Sequence, residues 1–235
     1  MEQMSNLESE RGADLPKMIL RRVVLVLVFS VAFAYIEAAV VVYLREIFHP
    51  DGFSFPLTNF GIDARWKQLL LTEIGRETAT ILLILSAAAL LGRTGRQRLA
   101  LGFVIFALWD IFFYVWLKIL IDWPQSFMDW DILFLIPTTW AGPVLAPILV
   151  SVTLLAFSVL ILSRSWLGRP LEASRAQWAG FVLSAAIVVA SFCIAGRYIA
   201  ETDFERHFYW PLFGVGCIGA IALFVRLLRK SKQPG

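Results

Sequence analysis

Three carboxylates stand where carboxylates are costly: Glu37, Glu77 and Asp110 each lie inside a long apolar run. Asp110 is the plainest case, set in the middle of Leu101-Gly-Phe-Val-Ile-Phe-Ala-Leu-Trp-Asp-Ile-Phe-Phe-Tyr-Val-Trp-Leu117. Placing such a charge in hydrocarbon costs roughly 2.5 to 3.5 kcal/mol on insertion scales, so intramembrane acids face a partner, a cavity or a pathway. Residues three and four apart share a helix face. In the second run Glu73, Glu77 and Thr80 therefore form one stripe, with Arg76 at its edge. In the third, Asp110, Tyr114 and Lys118 climb one face at i+4 steps.

Three carboxylates against one deep arginine leave excess negative charge unless protons or a metal ion supply the balance. Glu37, Glu73, Glu77 and Asp110 are thus candidate proton- or cation-binding residues, supported by Arg76, Tyr114, Lys118 and Thr80. If Glu37, Glu77 and Asp110 held a divalent cation, magnesium, calcium or manganese would suit the all-oxygen set better than zinc or copper, because neither histidine lies among them. His49 and His207 fall in acid-rich loops, His49 near Glu46 and Asp51, His207 near Glu201, Asp203 and Glu205, where a surface metal site is conceivable. No apolar run has an internal histidine, which excludes a haem held by two histidines within the membrane.

These acids need helices to carry them, and the composition supplies that class. With 59% hydrophobic residues, 17% charged residues and a mean hydropathy of +0.73 over 235 residues, the chain exceeds the apolar content of soluble domains, about 45 to 50%. The expected fold is all-α, a polytopic bundle of about six transmembrane helices. Residues 1–16 read as an irregular cytoplasmic tail and residues 17–232 as one membrane domain.

Span one runs from Val23 to Leu44, about 22 residues at 1.5 Å each, enough to cross a ~30 Å core. Lys17, Arg21, Arg22 and Ala32-Phe-Ala34 also mimic a cleaved signal peptide, but the apolar run continues ten residues past Ala34, as an anchor does. An aromatic loop over residues 45–66 leads to span two (Lys67 to Leu91), the Gly92 to Arg98 turn, and span three (Leu99 to Ile121). After the acidic loop Asp122 to Asp131, the apolar stretch Ile132 to Ser163 is too long for one span and is interrupted at Pro137, Pro143 and Pro147. Proline removes a helix hydrogen bond, so a re-entrant segment broken near Thr138 to Gly142 is expected before span four. Its freed carbonyls would be available to a cation. Spans five (Gln177 to Ala200) and six (Phe208 to Leu228) follow.

The tails and the connectors at Gly92 to Arg98 and Arg164 to Ala176, with Arg226, hold 14 of the 21 Lys and Arg and five acids, net +9; everything else holds seven cations and 13 acids, net −6. The positive-inside rule then places both termini in the cytoplasm, as in a bacterial-type cytoplasmic membrane. The three acids fall at one depth, Glu37 about 12 Å below Arg45, Glu77 about 15 Å from Lys67 and Asp110 about 18 Å below Asp122.

The expected function is a small transporter or channel binding a proton or cation at these acids. An enzyme acting on a lipid or isoprenoid substrate, with Trp109, Phe112, Phe113, Tyr114, Trp116, Trp123, Trp130 and Trp140 supplying pocket walls, is the alternative. So is an accessory subunit of a larger complex, or a homo-oligomer, whose acids form structural ion pairs. Walker, GxSxG, HExxH and dinucleotide motifs are absent. The basic residues are spread over short turns that orientation explains, so nucleic acid is not an expected partner.

Overall fold

The structure, a computed structural model, describes residues 2–49, 52–57 and 64–230, with side chains for 19–49, 52–57 and 67–230. Six helices dominate: α1 (Glu2–Phe48), α2 (Ala64–Leu91), α3 (Gly95–Ile121), α4 (Leu145–Trp166), α5 (Arg175–Gly196) and α6 (Trp210–Lys230). Each contains a stretch long and apolar enough to cross a membrane, pointing to an integral multi-pass protein embedded in lipid. Large apolar side chains such as Leu82, Leu90, Val182 and Ile218 face outward, as a surface solvated by acyl chains allows. Glu2 to Pro16, expected to be irregular, continues α1 toward the N-terminus. Its Glu, Met, Leu, Arg and Ala are good helix formers, and extending an existing helix avoids the cost of nucleating one.

Local signals set several helix ends. Thr94 caps α3 by accepting the Gln97 N–H at 3.3 Å, and Asp122 ends it in the left-handed region at φ 51°. Ser174 and Gln177 form a capping box at the start of α5.

The stretch expected as a proline-broken re-entrant segment is instead an antiparallel hairpin, β1 (Trp130–Phe134) and β2 (Trp140–Pro143), so the fold is mostly rather than wholly helical. Asp131 pairs with Gly142, Ile132 with Ala141, and the register shifts between Ile132 and Phe134. Proline at 137 falls in the turn and Pro143 at a strand end, positions where no ladder donor is needed. The hairpin packs inside the protein. Phe134 lies 6.4 Å from Phe106 and 6.2 Å from Trp109, ring centre to ring centre, and Trp140 stacks on Phe192.

Helices α1, α2 and α4 all pack on α3, while α5 packs on α6 and on β2. A core of Trp130, Phe192, Phe204, Phe208 and Phe213 joins the hairpin to the α5–α6 pair. Gly196 makes this approach possible. A Cβ there would lie 1.9 Å from the Thr139 carbonyl oxygen.

Candidate functional site: a carboxylate-lined cavity

A cavity of about 160 Å³ opens among α1, α2, α3 and the hairpin. Glu37, Glu73, Glu77, Asp110 and Asp131 line it together with Arg45 and Arg76. Glu37, Glu77 and Asp110, put at one depth by residue counting, therefore do face one space. They do not share one partner.

Glu37 is held by an ion pair. Arg76 on α2 reaches across to Glu37 on α1 and donates from Nε to Glu73 at 2.7 Å, so one guanidinium serves two carboxylates. Thr80 adds a long 3.4 Å contact to Glu37.

Glu77 is held differently. Both its oxygens accept the backbone N–H of Leu135, at 3.1 and 2.9 Å. The hairpin turn has no strand partner for that donor, and a donor buried without water needs an acceptor. Asp110 accepts the Ser151 hydroxyl of α4 at 2.8 Å and is buried. Among the described residues neither Glu77 nor Asp110 has an ion-pair partner.

At one end of the cavity Arg45 donates to Asp131 at 3.1 Å, and its guanidinium lies 4.2 Å from the Phe53 ring centre and 3.9 Å from that of Trp123. Arg45 can be buried because aromatic faces and a carboxylate replace its water. Burial still outweighs the arginine's pull on Asp131 and pushes its carboxyl up to about 6. The Tyr114 phenol lies beside this carboxylate. Among the described residues, Asp131 Oδ2, Arg45 Nη1 and Trp109 Nε1 are buried without a hydrogen-bond partner. His49 lines the same end, where burial and the nearby Arg45 lower its pKa.

Of the supporting residues, Arg76 and Tyr114 line the cavity and Thr80 touches Glu37, but Lys118 lies outside the cavity lining. One turn beyond Tyr114, its long side chain extends to the helix end and pairs with Asp122 at 2.8 Å. Arg45, Asp131, Ser151 and the Leu135 N–H escape a reading by helical spacing. The usable signal was Asp131 immediately before the apolar Ile-Leu-Phe, and Arg45 at the end of an apolar run.

Glu37, Glu77 and Asp110, the candidate divalent ligands, line one cavity. Among the described residues, the group of three ligating side chains gathered within 4.8 Å is Glu201, Asp203 and His207, on the α5–α6 loop. The cavity acids are instead held singly, by Arg76, by a backbone N–H and by a serine. Chemically that suits proton uptake, which needs one oxygen at a time, better than chelation. No family model, curated protein or solved structure matches the chain.

Proposed function

We propose that the protein is a small multi-pass membrane transporter or channel-like protein in which Glu77 and Asp110 take up protons from the cavity. The observation that carries this reading is the charge inventory of one half-open cavity, lined among the described residues by five carboxylates and two arginines, with Glu77 and Asp110 in none of the ion pairs. Buried acids without counter-charge form proton relays in transporters. Glu37 and Glu73, sharing Arg76, serve as the fixed frame that holds α1 against α2.

In this reading the termini are cytoplasmic, from the positive-inside distribution of Lys and Arg. Arg45, His49 and the hairpin then lie toward the outer side, and protons enter past the Arg45–Asp131 pair. A cation other than a proton remains compatible with the charge, but the singly held acids favour the proton.

The test is proton flux in proteoliposomes loaded with a pH-sensitive dye under an imposed membrane potential. Wild-type protein is expected to conduct or exchange protons, with Asp110→Asn and Glu77→Gln losing that flux while Glu37→Gln keeps it. Equal flux in all four proteins, or none in the wild type, rejects the proposal.

A further inference from the structure

We propose that Glu201, Asp203 and His207 form a binding site for a divalent transition metal of the zinc type, separate from the carboxylate cavity. His207 Nε2 lies 3.7 Å from Glu201 Oε2 and 3.7 Å from Asp203 Oδ1. That atom is buried and, among the described residues, makes no hydrogen bond. A hydrogen-bonded pair would close to about 2.7 to 3.2 Å, so the imidazole nitrogen is engaged by neither acid, although both carboxylates face it. With metal–ligand bonds of about 2.0 to 2.1 Å, neighbouring ligands of a tetrahedral ion sit about 3.3 to 3.5 Å apart. The two distances to Nε2 need only a few tenths of an ångström of contraction, and all three ligand atoms lie within 4.8 Å of one another.

The frame around these ligands is stiff. The His207 ring stacks on Tyr198, 3.7 Å between centres and tilted by 9°. The backbone carbonyl of Ile199 accepts the Leu57 N–H at 2.7 Å. Phe204, between the ligands in sequence, is buried against Trp130 of the hairpin and against Phe55. Both acids are about half exposed, so an ion reaches them from solvent.

The donor set selects the metal. One imidazole nitrogen with two carboxylate oxygens suits zinc and its transition-metal neighbours, whereas magnesium and calcium take oxygen sets. Water would complete the coordination. Ligation requires a deprotonated Nε2, so binding weakens in acid. An ion here would brace Phe204 against Trp130, the residue before Asp131 at the cavity end.

Zinc binding is measured by competition with a chromophoric chelator, on detergent-purified protein without a histidine tag and with Cys193 and Cys217 changed to serine. The expected result is one zinc per chain at micromolar affinity or better, abolished in His207→Asn, at least tenfold weaker in Glu201→Gln and in Asp203→Asn, and unchanged in Glu205→Gln. Gel filtration checks that each variant is folded, and the two carboxamide variants carry the test if the histidine variant is not. A wild-type chain that binds no zinc, or folded Glu201→Gln and Asp203→Asn variants that bind it as tightly as the wild type, overturns the site. Failure here leaves proton flux through the cavity untouched, because no cavity acid is shared.

Discussion

The backbone N–H of Leu135, at the turn of the hairpin, donates to both carboxylate oxygens of Glu77 on α2, at 3.1 and 2.9 Å. One carboxylate thereby ties the non-helical part of the protein to a helix 58 residues earlier in the chain. Glu77 thus stands both in the fold and in the proposed site, and the two roles separate by substitution. Glu77→Gln keeps an acceptor for Leu135 and should cost under about 1 kcal/mol of stability, while Glu77→Ala strands the donor and should cost about 1 to 3 kcal/mol. Thermal unfolding in detergent measures the difference; equal losses would mean that the hairpin does not depend on this bond.

Arg76 holds two acids, and its loss should show in stability more than the loss of either. Arg76→Ala leaves Glu37 and Glu73 without compensation, at a cost of about 3 kcal/mol, the low end for a buried pair because the guanidinium keeps some exposure. Adding Glu37→Gln to Arg76→Ala should recover part of that loss. Chemical or thermal unfolding of Arg76→Ala and of the double variant checks the ordering, and a double variant weaker than Arg76→Ala contradicts it.

Gly196 is where a single methyl group should act on the hairpin. The added Cβ of Gly196→Ala would meet the Thr139 carbonyl oxygen at 1.9 Å and its carbon at 2.6 Å, both backbone atoms that cannot rotate aside. Overpacking of this kind costs about 1 to 3 kcal/mol or more. Gly75→Ala, on α2 with nothing within 4 Å, is the control and should be neutral or slightly stabilising. The comparison is read as the shift in unfolding temperature, and equal shifts would remove the close α5–hairpin approach from the account.

Asp131 supplies the pH dependence outside the spans. Its folded-state pKa, raised to about 6 chiefly by burial, lies above the ordinary aspartate value, so the folded protein holds this proton more tightly than the unfolded chain. Its contribution to stability is fully present below about pH 4 and is lost as the pH rises through about 6. Asp131→Asn, which cannot ionise, should therefore gain on the wild type by roughly 2 to 3 kcal/mol between pH 4 and pH 7. Parallel denaturant titrations at the two pH values test the sign, and a gap that narrows with rising pH would reverse it.

The six apolar helices were legible because a run of twenty or more apolar residues has few other uses. That Glu37, Glu77 and Asp110 line one cavity was within reach of the sequence, since helical rise converts residue counts to ångströms. The hairpin was not, because the apolar stretch after Asp131 carries no period that separates a short strand from a helical piece, and its prolines mark a break without saying what replaces the helix. Partners were equally hidden. Arg45 and Asp131 lie 86 residues apart, and Asp110 finds Ser151 only once α3 and α4 are rotated to face each other. Lys118 continues the i+4 line through Asp110 and Tyr114 but lies outside the cavity lining, because the rule gives a face and not the point where that face leaves the cavity.

The most direct measurement is infrared difference spectroscopy of the membrane-reconstituted protein between alkaline and acidic pH, reading the carbonyl stretch that only a protonated carboxylic acid shows. Two such bands should each vanish in one variant, one in Asp110→Asn and one in Glu77→Gln, with Ser151→Ala shifting the Asp110 band alone and Glu37→Gln sparing both. A spectrum that keeps every wild-type band in Asp110→Asn and Glu77→Gln would contradict proton uptake at these two acids.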